Sequence, residues 1–135
     1  LTGTAFQPDL PGFADLHKVA CPGHDRHLQA LTFRDTQDQE IWIVGDAILD
    51  QDWLLQWQYY YPNRYEREAI IETWRSVAKI CASADRIVPG HGGIIEVSEV
   101  LIRCLLDRFP QAQYAKDCPD VAEILKTRLE HGKRF

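Results

Sequence analysis

The chain has 135 residues, 45% of them hydrophobic, and a formal net charge of −5. That length suits one domain with a real core, and no apolar run approaches the roughly 18 residues that would mark a bilayer-spanning helix. The acidic balance, with no basic stripe, excludes a surface built to neutralise phosphates, so no nucleic-acid partner is expected. No basic-then-apolar stretch is visible at the start of the chain, so no signal peptide is expected. Methionine is absent throughout, so a processed or excised piece is expected.

Residues 1–14, rich in Gly, Pro and Asp, read as loop. Leu16 to Ala20 is a short strand leading into Cys21-Pro22-Gly23-His24, and Leu28 to Phe33 is a second strand. Ile41-Trp42-Ile43-Val44 is a continuous apolar run of strand length, the pattern of a strand buried on both faces. It ends at Gly45-Asp46. A short aromatic helix over Asp52–Tyr59 follows. A longer one starts with Asn63 as N-cap and Glu66 three residues on, and Ala69, Ile70, Trp74, Val77 and Cys81 form its buried stripe. Arg86-Ile87-Val88 is a strand ending at Pro89-Gly90-His91-Gly92, and Ile94 to Val97 is an edge strand. Val100–Phe109 and Val121–Glu130 read as helices, with Pro119 and Gly132 at the ends of the last. Strands alternating with helices predict an α/β layer.

Three corners carry the chemistry. Pro22-Gly23-His24, Gly45-Asp46 and Pro89-Gly90-His91-Gly92 each place an imidazole or carboxylate at or just after a strand end. Gly allows the tight turn, Pro stops the ladder, and both donor types suit zinc, iron or manganese. Singly, each is an ordinary turn residue. Their order is the informative feature.

Over roughly residues 15 to 100 that order resembles the metallo-β-lactamase superfamily. The resemblance implies that His24 ligates one metal, His91 a second, and Asp46 bridges the two. It also implies an αβ/βα sandwich, of which residues 1–135 would be the C-terminal half: a single domain with one sheet and helices on its outer face. The family's upstream His-X-His-X-Asp-His motif is absent, since no two of His17, His24, His27, His91 and His131 are separated by a single residue. The function implied is that of a segment from a zinc-dependent hydrolase (iron or manganese being the alternatives). Such an enzyme acts on a small-molecule ester, thioester, lactone or amide through a metal-bound hydroxide. With an incomplete site, the isolated segment is expected to be inactive. The other reading is a non-catalytic half-fold that forms a homo-oligomer or pairs with a complementary N-terminal half.

The remaining features are blander. Trp53, Trp57, Tyr59, Tyr60 and Tyr61 either wall a substrate cleft, as the resemblance implies, or pack the core. His27 reads as a loop histidine, and Glu66, Arg67, Glu68 and Glu72 as a solvated helix face. Cys21, Cys81, Cys104 and Cys118 form no Cys-X-X-Cys pair, so reduced, mostly buried thiols and a cytoplasmic setting are expected.

Overall fold

A computed structural model describes residues 9–10, 13–23, 25, 27–59 and 66–131. Its strands are β1 (Asp9–Leu10), β2 (Phe13–Ala20), β3 (Gln29–Arg34), β4 (Glu40–Gly45), β5 (Arg86–Pro89) and β6 (Ile95–Glu96). Its helices are α1 (Gln51–Leu55), α2 (Arg67–Ser83), α3 (Glu99–Arg108) and α4 (Asp120–His131). The strands form one sheet in the order β1-β2-β3-β4-β5-β6. All neighbours are antiparallel except β4 and β5, which are parallel. Parallel neighbours need a long crossover, and α1 and α2 supply it. The fold is therefore α/β.

Register explains which sheet face is buried. Thr32, Trp42, Ile87 and Ile95 stand opposite one another across β3 to β6, and all four are buried. Trp42, Ile87 and Ile95 join Trp74, Leu101, Leu125 and other helix residues in one core. α2 packs on α4, α4 on α3, and α3 on α1, forming a single helical layer over that face. The alternate residues make a second row, Leu31, Ile43 and Val88, on the other side. There Ile43 is 39% exposed. The expectation that Ile41–Val44 is buried on both faces is thus corrected. Trp42 and Val44 enter the core, and Ile41 is largely covered, but Ile43 faces outward.

Local chemistry sets the helix limits. Asp50 caps α1, its Oδ1 accepting from the Trp53 N–H at 2.8 Å. Ser98 caps α3, its Oγ accepting from the Leu101 N–H at 3.1 Å. α2 buries Ile70, Trp74, Val77 and Cys81 at helical spacing. Glu66 occupies its N-cap with no side-chain capping bond, so it does not stand third inside the helix as the Asn63 start required. Asn63 itself lies outside the described residues. α1 is also shorter than expected, and the first fourteen residues contribute β1 and the start of β2. No helix among the described residues is long and apolar enough to cross a membrane.

Candidate metal centre

Strand direction decides where the three corners lie. β2 is antiparallel to β3, β3 to β4, and β4 is parallel to β5. Hence β2, β4 and β5 all run the same way, and their C-terminal ends meet one edge of the sheet. Cys21-Pro22-Gly23, Gly45-Asp46 and Pro89-Gly90-His91 all leave at that edge. With strands about 4.8 Å apart, the three strand ends span about 15 Å. The first corner belongs to the β2–β3 hairpin loop.

The second and third corners are fastened together. The Gly90 N–H donates to the Ile48 carbonyl at 3.0 Å, and the His91 N–H to the Leu49 carbonyl at 2.7 Å. Gly90 is pressed so closely that a Cβ there would lie 2.9 Å from the Gly45 oxygen and 3.1 Å from Asp46 Oδ1. Only glycine gives that approach without displacement. The Asp46 carboxylate therefore lies directly over the turn that carries His91. Both residues are exposed.

The first corner is seated on α2. Ser76 Oγ donates to the Pro22 carbonyl at 2.6 Å. Lys79 Nζ donates to the Ala20 carbonyl at 3.0 Å. The hairpin loop closes through the Cys21 N–H and the Leu28 carbonyl at 2.8 Å. His24 lies outside the described residues. Of its neighbours, His27 is exposed, and its N–H donates to Asp25 Oδ1 at 2.8 Å.

Among the described residues no three His, Cys, Asp or Glu side chains converge as a metal cluster. The two described donors, Asp46 and His91, share one edge and adjoining turns. Carboxylate and imidazole are both donor types that divalent cations take. Cys21 does not join them. It is 1% exposed, and burial pushes its thiol up to about 11. The four cysteines are free thiols, and Cys81 and Cys118 are also buried.

Of the aromatic stretch, Trp57 is core. Its ring meets Trp74 edge-on at 5.6 Å and Phe109 at 4.7 Å, and its indole N–H donates to the Leu105 carbonyl at 3.0 Å. Trp53 and Tyr59 are half-buried, and Tyr60 and Tyr61 lie outside the described residues. Glu66, Arg67, Glu68 and Glu72 are exposed as expected. His17 lies within β2 beside Thr32. It lines a depression of about 160 Å³ with Thr32, Phe33, Arg34 and Glu40, at the opposite edge from the corners. Sequence reasoning missed the α2 seat. The available signal was Thr73 and Ser76, two hydroxyls interrupting an otherwise apolar stripe.

No protein-family model and no curated protein matches this chain.

Proposed function

We propose that this chain is the C-terminal segment of a metal-dependent hydrolase of the metallo-β-lactamase-like type. In this reading His24, Asp46 and His91 are metal ligands, with Asp46 bridging two cations. The supporting observation is the common direction of β2, β4 and β5, which brings Asp46, His91 and the Pro22-Gly23 turn to one sheet edge. Zinc, iron or manganese would supply the Lewis acidity for cleaving an ester, thioester, lactone or amide. The protein's part would be to present two imidazoles and one carboxylate. Gly90 keeps the carboxylate over the third corner. The remaining ligands would come from a complementary N-terminal half. Its sheet would cover the row Leu31, Ile43 and Val88, completing the αβ/βα sandwich.

Zinc titration of the chain by calorimetry tests this. The expected result is weak binding of at most one ion per chain, further weakened by His24→Ala, Asp46→Ala or His91→Ala. Tight binding of two ions per monomer, or binding indifferent to all three substitutions, would overturn it.

A second reading is favoured by the outward apolar row: a non-catalytic half-fold that self-associates. Exposed apolar surface stabilises association by about 25 cal/mol per Å² covered. Sedimentation of the chain at micromolar concentration should then give a homo-oligomer that Ile43→Lys dissociates. A monomer at that concentration would end this second reading.

A further inference from the structure

We propose that the open edge of β6 is a self-association surface, on which a second copy of this chain docks β6 against β6, antiparallel, about a two-fold axis at Ile95. The proposal needs neither the metal reading nor a covered sheet face. It starts from main-chain geometry. The Val97 N–H donates to the Asp85 carbonyl at 2.9 Å. β5 and β6 pair Arg86 with Glu96 and Ile87 with Ile95. In that register the Val97 bond makes Ile87 and Ile95 the hydrogen-bonded pair, and Arg86 and Glu96 the open one. A trans peptide sends its N–H and C=O opposite ways. The Ile94 carbonyl and both main-chain groups of Glu96 therefore point away from β5. Among the described residues nothing takes them up.

The sheet ends on β1 and on β6, and the two edges differ. β1 has Pro8 and Pro11 beside it in sequence, residues that cannot donate to a further strand. From Gly92 to Val97 there is neither Pro nor Lys, the usual means of blunting an edge. The one charge there, on Glu96, is paired with Arg86 Nε at 3.1 Å. Ile94 beside it is 59% exposed. A Cβ on Gly93 would meet nothing within 4 Å, so the approach is clear. A two-fold joint uses the same groups on both chains, and the acceptor on one edge finds the donor on the other. Two antiparallel registers engage the outward groups. One sets Glu96 against Glu96 of the second copy, like charges directly opposite, which is destabilising. The other sets Ile94 against Glu96 of the second copy, twice by symmetry, and separates the carboxylates. The second is the register proposed. β6 is 2 residues long, so the joint has few bonds and forms at high concentration.

The test is amide hydrogen exchange read by NMR, with sedimentation alongside, from micromolar to millimolar concentration. The Glu96 amide should exchange freely in dilute solution and become protected by about ten-fold as the dimer fills. Ile94→Pro removes a donor on the open side and leaves the bonds to β5 in place, so it should lower the association constant by about ten-fold. Two further variants read the register and need no backbone change if the proline variant does not fold. Ile94→Glu sets like charges opposite each other and should weaken the dimer by about three-fold, whereas Ile94→Lys faces Glu96 of the second copy and should strengthen it by about as much. Ile43→Lys, away from the edge, should leave the Glu96 protection unchanged. Exchange at Glu96 that stays flat up to millimolar concentration overturns the proposal. A dimer that Ile94→Pro leaves intact, or that Ile94→Glu and Ile94→Lys shift in the same direction, overturns it too. Flat exchange in this chain with protection appearing on addition of a short alternating Thr-Val peptide would assign the edge to a foreign strand, and the self-pairing would be wrong.

Discussion

The two ends of the sheet are finished by different means. At the corner end, the turns after β4 and β5 are joined by backbone hydrogen bonds and a glycine contact. Asp46 and His91 stand exposed there. At the other end, where β4 and β5 begin, side chains reinforce the backbone bond that the Asp85 N–H donates to the Glu40 carbonyl at 2.8 Å. Asp85 Oδ2 accepts from the Glu40 N–H at 2.7 Å. Arg128, 2% exposed, donates to the Cys81 and Ala84 carbonyls at 2.5 and 2.6 Å and lies 3.7 Å from Asp85 Oδ1. Its guanidinium thereby closes the C-terminus of α2, where carbonyls and the helix dipole favour a cation. Burial pulls the Arg128 pKa down, and Asp85 pushes it back up. The end that holds the fold together is distinct from the end where the candidate ligands stand. Open α/β sheets bind ligands outside the carboxyl ends of their parallel strands.

The largest effect should come from Arg128→Ala. It would leave Asp85 and two helix carbonyls without their cation. Breaking a buried pair by removing one partner costs about 3–5 kcal/mol. The urea midpoint should fall accordingly. A loss within the range of ordinary surface substitutions, about 0.5 kcal/mol, would show that this end is not the stabilising one.

Gly90→Ala strikes the corner end at its tightest point. The new methyl would sit 2.9 Å from the Gly45 oxygen and 3.1 Å from Asp46 Oδ1, so one turn must move. Overpacking of this kind costs about 1–3 kcal/mol. The midpoint should drop by less than in Arg128→Ala, and zinc binding should weaken with it. Unchanged stability and unchanged zinc binding would mean that the two turns are not fastened as described.

The thiols probe both ends through pH. Cys21 begins the first corner, and Cys81 lies beside Arg128. Burial is the leading cause in each, raising Cys21 from 9.0 to about 11 and Cys81 from 9.0 to about 12. A raised folded pKa means that the unfolded chain loses these protons first. Stability is therefore complete below pH 9 and falls as pH climbs from 9 toward 11–12. The slope is at most about 1.4 kcal/mol per pH unit for each thiol. Denaturation midpoints at pH 8 and pH 10, with and without Cys81→Ala, measure it. Alkylation at pH 8 compares the ends directly: Cys81 should react more slowly than Cys21, and the reverse order would contradict the contrast between them.

What the residues alone revealed follows the same division. β3, β4 and β5 are legible to within a residue or two, because apolar strand runs ended by Gly, Pro or a polar turn are local signals. The common direction of β2, β4 and β5 was not local. It follows from hydrogen-bond pairing, and before that only the resemblance brought the corners together. β1 and the start of β2 were hidden under Gly, Pro and Asp, which read as loop. Arg128 was overlooked because arginine is ordinarily a surface residue, yet its spacing from Val121 and Leu125 puts it on the buried stripe of α4. Ile43 misled in the opposite direction. An apolar run predicts burial on both faces, but the helical layer of this chain covers one.

The smallest effect on stability is expected at Asp46. Its carboxylate is exposed at the corner end, whereas Asp85 holds the Glu40 amide and faces Arg128. Most exposed substitutions cost little, so Asp46→Ala should lower the urea midpoint by less than Asp85→Ala does. Asp85→Ala removes one partner of a buried cation, and its loss should approach that of Arg128→Ala. The paired measurement separates two uses of the same side chain on one sheet. If Asp46→Ala destabilises as much as Asp85→Ala, the corner carboxylate is part of the scaffold, and its claim as a ligand loses its structural basis. If it leaves the fold intact while zinc binding collapses, the carboxylate is held at the corner for something other than the fold.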